Sequence, residues 1–189
     1  MPLSYTNRRQ ETYYVRAVKA KKGGTRYYLV KDFTTYPPDE ILEAMPAGYE
    51  WYEYPEDGKT ALRKIVPSTV PPAMLAQLRE LLPQHSAHPV LHCHLEPDAV
   101  TVYEYPYSAE DLGVSPDHLH RMIYLAPVLR FVPLPDGRCQ VQRICHYPGL
   151  DGWITMETSA DLAALAAKFA PHIGQESLLE FWIEGEEDF

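Results

Sequence analysis

Cysteine is scarce in this sequence, and its few copies form no recognisable pattern. The 189 residues include only Cys93, Cys139 and Cys145, an odd number spread along the chain. Small proteins that depend on disulfides carry an even and denser set. The spacing of six between Cys139 and Cys145 also matches no zinc-ribbon or redox motif. We therefore expect three free thiols, with Cys93 buried as a small apolar residue, and a reducing, cytoplasmic location.

Long apolar runs and reaction-specific motifs are also missing. No run approaches the roughly 18 residues that a membrane span needs, and the start of the chain lacks the apolar core of a signal peptide. Glycine-rich phosphate loops, His-Glu-x-x-His and Gly-x-Ser-x-Gly are absent too, which argues against nucleotide-dependent, zincin and α/β-hydrolase chemistry. We expect a soluble, non-catalytic protein with no cofactor and no membrane contact.

Proline and tyrosine are abundant instead, with 18 and 14 copies. Many prolines favour short strands and stiff loops over long helices. Turn signals between β-prone runs predict hairpins at 13–33, 49–66, 90–105 and 128–147. Single helices are predicted at 38–45, 72–82, 115–123 and 159–170, and further strands at 153–158 and 178–183. This alternation predicts an α+β fold, with antiparallel hairpins in one or two sheets and single helices packed on one face.

The proline-rich stretch 67–72 is the best candidate for a domain boundary. It separates a hairpin-helix-hairpin unit at 1–67 from a proline-flanked linker helix at 68–87 and a C-terminal α+β unit at 88–189. One continuous domain is the alternative.

The stretch Val90–Tyr105 reads as two strands joined at Pro97-Asp98. If Glu96 pairs with Ala99, alternation puts His92 and His94 on one face, which either stays wet or meets a ligand, while Cys93 turns to the core. Two histidines that share a face can bind one transition metal if a third ligand joins them. A metal-dependent hydrolase centred on His92 and His94 is therefore the alternative function; the competing interpretation is a solvated face that happens to hold two histidines.

Charge is distributed unevenly along the chain. The net charge is −9, yet residues 1–31 hold eight Lys/Arg against one acid, a net of +7, which leaves −16 for the rest. This segment forms the first hairpin, where a two-residue turn at Gly23-Gly24 would put Tyr14, Val18 and Leu29 on one face and Tyr28 on the other. Its candidate binding residues are Arg16, Lys19, Lys21, Lys22, Arg26 and Tyr28.

We interpret this basic, tyrosine-rich hairpin as a binding module that contacts an acidic protein surface, on a partner or on a second copy of the chain. Aromatic and basic residues also suit nucleic acid, but the −16 body would repel a polyanion, so nucleic acid is not expected. The competing interpretation is that the tyrosines are simply strand residues and that the cations bind the protein's own acids.

The 128–147 hairpin suggests a second site. A turn at Asp136-Gly137 would place Arg130 directly opposite Arg143. Like charges at opposed positions destabilise a sheet unless an anion lies between them. Arg130 and Arg143 are therefore a candidate anion pocket, although neutralising carboxylates are the preferred explanation.

Overall fold

The computed structural model describes residues 1–87, 91–105, 107–122, 124–145 and 152–181. The chain divides into two compact units. Unit 1 comprises Met1–Val66 and Ser108–Tyr124, and unit 2 comprises Pro67–Tyr107 and Leu125–Phe189. The last two residues of the hairpin predicted at 128–147 lie outside the described residues.

Within the described residues, short strands outnumber helices. The strands are β1 (Ser4–Thr6), β2 (Thr12–Lys19), β3 (Thr25–Val30), β4 (Tyr49–Glu53), β5 (Thr60–Lys64), β6 (His92–Leu95), β7 (Val100–Glu104), β8 (Ala126–Pro133), β9 (Cys139–Cys145) and β10 (Gly152–Ser159). The α-helices are α1 (Pro72–His85), α2 (Pro116–Met122) and α3 (Leu162–Phe169). Short 3₁₀ segments occur at Pro38–Glu40, Ala170–His172 and Glu176–Glu180. No helix in this part of the chain is long and apolar enough to cross a membrane.

Unit 1 contains two small antiparallel sheets, β1-β2-β3 and β4-β5. Aromatic side chains join them: Tyr5 stacks on Trp51 with ring centroids 5.4 Å apart, and Tyr27 meets Tyr49 edge-on at 5.0 Å. Val15 of β2 is fully buried and lies on the face of the three-stranded sheet that carries Tyr27. The abundance of tyrosine thus has a structural cause, because large rings fill a core that two short sheets enclose.

Unit 2 is a five-stranded antiparallel sheet in the order β10-β9-β8-β7-β6, with α1 and α3 packed on one face. The inward side chains of its strands form one apolar cluster with the helices, whose contributions include Leu78, Leu82, Leu165 and Phe169. The predicted α+β fold, with antiparallel hairpins and helices on one face of a sheet, is confirmed.

Helix α1 belongs to this core rather than to a linker. Met74, Leu78 and Leu82 on one helical face are buried in the cluster of unit 2. The helix continues through Pro83 to His85, where the sequence predicts a stop at Leu82. Pro83 stands in the last turn, and the N–H of Ser86 still donates to the Leu82 carbonyl at 3.0 Å. The division also differs from the expected one because the segment 108–124 belongs to unit 1.

Two predicted elements are wrong. The helix at 38–45 shrinks to one 3₁₀ turn, because Ile41 pairs with Arg16 and the Leu42 N–H donates to the Val15 carbonyl at 2.9 Å. Hydrogen bonds to a neighbouring strand thus replace those of a helix. Where the sequence predicts a strand at 178–183, residues 178–180 belong to the 3₁₀ segment Glu176–Glu180, whose Leu178 is buried in the core, and residues 182–183 lie outside the described residues.

Candidate functional site

The basic hairpin β2–β3 closes with a longer loop than the sequence predicts. Lys19 pairs with Thr25, the Ala20 N–H donates to the Gly24 carbonyl at 3.0 Å, and both loop glycines have positive φ, 87° at Gly23 and 84° at Gly24. A two-residue turn at these glycines would have paired Lys22 with Thr25, so the register moves by three residues. An odd shift exchanges the faces of one strand relative to the other.

The shift brings Tyr28 onto the same face as Arg16 and opposite to it, and it pairs Arg26 with Val18. The predicted face assignment of this hairpin is therefore wrong. Tyr28 is 46% exposed and Arg26 is exposed beside it. The corrected register thus places one aromatic ring and one cation together on an accessible surface.

Four cations surround the end of this hairpin, which we call the basic tip: Lys19, Lys21, Lys22 and Arg26. All four are exposed, and none forms an ion pair with any described residue. The stretch 19–26 contains no acid. The basic tip therefore presents a concentrated positive charge to its surroundings.

Arg16 does not belong to this accessible set. Its Nε donates to Glu40 Oε2 at 2.6 Å, and its guanidinium lies 4.3 Å from the centroid of the Tyr36 ring. Lys31 is likewise bound, with Nζ 2.5 Å from Glu11 Oε1. Arg16, a predicted binding residue, and Lys31, which contributes to the +7 charge of residues 1–31, are thus neutralised within unit 1.

Among the ion-paired cations Arg8, Arg16 and Lys31, Arg8 has the most buried side chain. Its Nη1 donates to the His120 carbonyl at 3.1 Å, and its Nη2 donates to the carbonyls of Pro55 at 3.1 Å and Glu56 at 2.9 Å. Its side chain is 7% exposed, and Nε lies 3.7 Å from Glu53. Arg8 therefore joins α2 to the β4–β5 loop, a role that sequence reasoning missed because its partners are backbone carbonyls.

The predicted anion pocket at Arg130 and Arg143 is not formed, because the two arginines lie on opposite faces of the sheet. Arg130 pairs with Gln142, and Arg143 pairs with Leu129. A loop of three residues, 135–137, replaces the assumed two, and a one-residue slip turns every side chain of a strand to the other face.

Arg130 lies among carboxylates instead. Its Nη2 is 2.7 Å from Asp98 Oδ1 and 3.2 Å from Glu96 Oε2. Two acids beside one guanidinium leave a net negative charge, which would repel an anion. The preferred explanation for the two arginines, that carboxylates neutralise them, agrees with the geometry at Arg130.

A row of polar atoms crosses the sheet beside this ion pair. Thr101 pairs with Arg130, which pairs with Gln142, which pairs with Thr155. Thr101 Oγ1, Arg130 Nε and Gln142 Oε1 are buried, and none of them bonds to a described residue. Because this row contains both hydrogen-bond donors and acceptors, it favours neither an anionic nor a cationic ligand.

Arg143 is buried on the helix-covered face, 3% exposed. Its Nε donates to the Phe181 carbonyl at 2.8 Å, and its Nη2 donates to the Leu179 carbonyl at 3.4 Å. It also lines a concave pocket of about 650 Å³, with Glu104 and Glu176 among the other lining residues. The pocket is assembled from residues far apart in the sequence, so sequence reasoning missed it, and its mixed charges identify no ligand class.

His92 and His94 share one face of β6, as the pairing of Glu96 with Ala99 predicts. Their ring centroids are 6.2 Å apart, and each ring lies edge-on to Tyr103. The face is less open than expected, since Tyr103 is buried. Across the described ranges, no group of three or more His, Cys, Asp or Glu side chains is placed to hold a metal ion. The hydrolase hypothesis therefore has no third ligand among the residues that the structure describes.

The three cysteines are all free and buried, in agreement with the sequence-based expectation. Burial raises the pKa of Cys93 to about 11 and that of Cys139 to about 12. Thiols that resist ionisation make poor nucleophiles. Neither of these cysteines is a candidate catalytic residue.

Comparison with protein-family models, with curated proteins and with solved structures found no match. The basic tip thus remains the candidate site on the strength of its own geometry and charge.

Proposed function

We propose that this protein is a non-catalytic binding module whose basic tip contacts an acidic protein surface. The observation that carries the proposal is the contrast among the eight cations of residues 1–31. Arg8, Arg16 and Lys31 have partners inside unit 1 and Arg9 lies over the Tyr124 ring, whereas the four cations of the tip are exposed and have no partner among the described residues. Cations that stabilise only their own fold would be expected to have partners within it.

The charge of each unit supports the same proposal. Unit 1 holds twelve Lys/Arg and twelve Asp/Glu, a net of zero, so the four cations of the tip are a local positive excess within a neutral unit. Unit 2 holds five Lys/Arg and fourteen Asp/Glu, which gives the whole net charge of −9. A nucleic acid is a polyanion that the net charge of −9 would repel, whereas a local acidic protein patch need meet only the tip.

The proposal includes a cytoplasmic location. Its support is the set of three buried free cysteines, which suits a reducing compartment.

A competing explanation for the tip is protection of a sheet edge. Lysines on edge strands commonly prevent unwanted pairing with other chains. Binding and edge protection make different predictions for an added acidic polymer, since only a binding surface is expected to hold it.

The test uses a fourfold tip variant, with Lys19, Lys21, Lys22 and Arg26 changed to Ser; Arg16 is kept because it binds Glu40. The control variant changes four other exposed cations to Ser, namely Lys64, Arg121, Arg138 and Lys168. Both variants lose four positive charges, from −9 to −13. Surface ion pairs contribute little, so the control should keep its fold.

Binding to polyglutamate and to single-stranded DNA is measured by fluorescence anisotropy at about 20 mM and about 300 mM salt, and self-association is measured by sedimentation velocity. We expect polyglutamate binding that weakens at least about tenfold in high salt and is lost in the tip variant alone. No salt-sensitive binding by the parent, equal loss in both variants, or tighter binding of DNA would each overturn the proposal. Salt-sensitive self-association that the tip variant loses would identify the acidic surface as one on a second copy.

A further inference from the structure

β3 is an edge strand of its sheet. β3 pairs with β2 on one side, and no strand among the described residues pairs with its other side. β3 also leads directly from the basic tip, because it begins at Thr25, next to Gly24. The sheet edge and the charge of the tip therefore belong to one surface.

The hydrogen-bond alternation of the hairpin identifies the outward backbone groups. Antiparallel pairs alternate between hydrogen-bonded and non-hydrogen-bonded positions. Since Ala20 and Gly24 form a hydrogen-bonded position, Arg26 and Tyr28 also bond inward to β2. The N–H and C=O groups of Thr25, Tyr27 and Leu29 consequently point away from the sheet, and they bond to no described residue.

Two other strand edges of the protein are covered in part by the chain itself. The far edge of β2 receives the Leu42 N–H at the Val15 carbonyl, 2.9 Å away. On the edge strand β6, the Cys93 carbonyl accepts from Arg79 Nη2 at 3.1 Å. The edge of β3 has no such cover among the described residues, and unpaired edge groups are a ready template for another strand.

We propose that the β3 edge binds an extended acidic segment of a partner protein as an added strand. The proposal rests on the proposed function and specifies the form of the acidic partner. Backbone groups of Thr25, Tyr27 and Leu29 supply the hydrogen bonds, as in other cases of strand addition. Positive charge favours an acidic segment over other segments, because Lys19, Lys21 and Lys22 of the basic tip lie at one end of the edge and Arg26 lies within β3.

The register predicts the side-chain pattern of the guest segment. Directly opposed side chains on neighbouring strands lie about 4.5–5.5 Å apart. Guest residues on the face of Arg26 and Tyr28 would meet a cation and an exposed ring, which suits Glu or Asp. Guest residues on the face of Tyr27 and Leu29 would meet half-buried apolar side chains. An alternation of acidic and apolar residues fits both faces.

A second copy of the chain fits this edge less well. If two β3 strands paired antiparallel about Tyr27, Arg26 of each copy would lie diagonally about 7–8 Å from the other Arg26 on the same face. That repulsion is absent with an acidic guest, so we assign the edge to a partner segment.

The experiment compares two peptides of about ten residues, one alternating Glu with Val and one alternating Glu with Pro. Their charges are equal, but the Glu-Pro peptide has no N–H at alternate positions and is poorly suited to a ladder. Binding to the full chain is measured at low salt, and amide exchange is followed residue by residue by NMR. Polyglutamate binding is measured in parallel, as the separate readout of the proposed function.

We expect the Glu-Val peptide to bind at least about tenfold more tightly than the Glu-Pro peptide, and to slow exchange at Thr25, Tyr27 and Leu29 by a similar factor. The amides of Arg26 and Tyr28 already bond to β2 and serve as internal controls. Equal binding of both peptides, or unchanged exchange at the three outward amides, overturns strand addition.

The outcomes separate the two proposals. Polyglutamate binding without strand addition leaves the proposed function standing, whereas failure of every acidic probe removes both. Protection of the outward amides by raising the protein concentration alone would overturn the partner assignment in favour of self-pairing.

Discussion

Arg8 and Arg143 direct their guanidinium groups at backbone carbonyl oxygens. Arg8 donates to carbonyls from two separate chain segments, and Arg143 donates to those of Phe181 and Leu179 at the end of the 3₁₀ segment Glu176–Glu180. Carbonyls at turns and at the ends of short helices have no ladder partner, and a buried polar group without one is costly. A planar group with five donors can satisfy several of them at once.

The buried thiols give a prediction at the same scale. Burial raises the pKa of Cys93 from 9.0 to about 11, and burial likewise raises the pKa of Cys139 to about 12. A group whose pKa is higher in the folded state stabilises the fold below its unfolded pKa and loses that contribution as pH rises. Above about pH 9 the unfolded chain ionises these thiols and the folded chain does not, so each thiol lowers the free energy of unfolding by up to about 1.4 kcal/mol per pH unit.

Urea unfolding between about pH 8 and pH 10 measures this slope, which should be shallower in the variant with Cys93→Ala and Cys139→Ala. The variant will be less stable at every pH because it loses packing, so only the slope tests the argument. Parallel slopes for parent and variant would contradict it.

At the scale of elements, loop length decides which face a hairpin residue occupies. In the β8–β9 hairpin the Gly137 N–H donates to the Leu134 carbonyl at 3.1 Å, and the Leu134 N–H donates to the Arg138 carbonyl at 2.8 Å. Pro135 follows Leu134, and Gly137 has a φ of 86°. This is the three-residue connection in which a turn is followed by a left-handed residue. It places Arg143 on the core face and Arg130 on the other.

Gly137 is therefore the residue on which this loop depends. A Cβ added there meets nothing within 4 Å, so the cost of Gly137→Ala comes from the backbone conformation alone. We expect a loss of about 1–2 kcal/mol in the free energy of unfolding, and a smaller loss for Gly137→Asn, because Asn tolerates the left-handed region. Chemical denaturation of both variants measures the difference. Equal losses would mean that something other than φ sets the cost.

At the scale of the whole molecule, unit 1 includes a segment that follows β6 and β7 of unit 2 in the sequence. The segment Ser108–Tyr124 lies far along the sequence from Met1–Val66 but packs with it. Within it, Leu119 is buried and the His120 carbonyl accepts from Arg8. Unit 1 is therefore not a continuous stretch of sequence.

A fragment of residues 1–67 should consequently be less stable than the same region of the full chain. It would lack the apolar contacts of Leu119 and leave a buried Arg8 donor without its acceptor, a loss of at least about 2 kcal/mol. Joining residues 108–124 to the fragment through a flexible linker should restore much of the loss, and a scrambled segment should not. Near-UV circular dichroism during thermal unfolding measures the three fragments. Equal melting of all three would contradict this division of the chain.

The sequence alone determined the α+β class, the positions of the four hairpins and the register of β6–β7. Proline, glycine and alternating apolar residues act locally, so they can be read without knowing the fold. It also grouped Arg16, Lys19, Lys21, Lys22, Arg26 and Tyr28, and all but Arg16 are exposed, since charged residues at a glycine loop rarely find room inside.

Tertiary structure decided the rest. A glycine with positive φ serves loops of two, three or five residues equally, so the register of β2–β3 and of β8–β9 depended on which side chains the cores accept. The acceptors His120 for Arg8, Glu40 for Arg16 and Phe181 for Arg143 lie 24 or more residues away, beyond any local pattern. Whether a cation is available for a partner or is bound within the fold is a question of long-range contacts, and those form only when the sheets and helices pack.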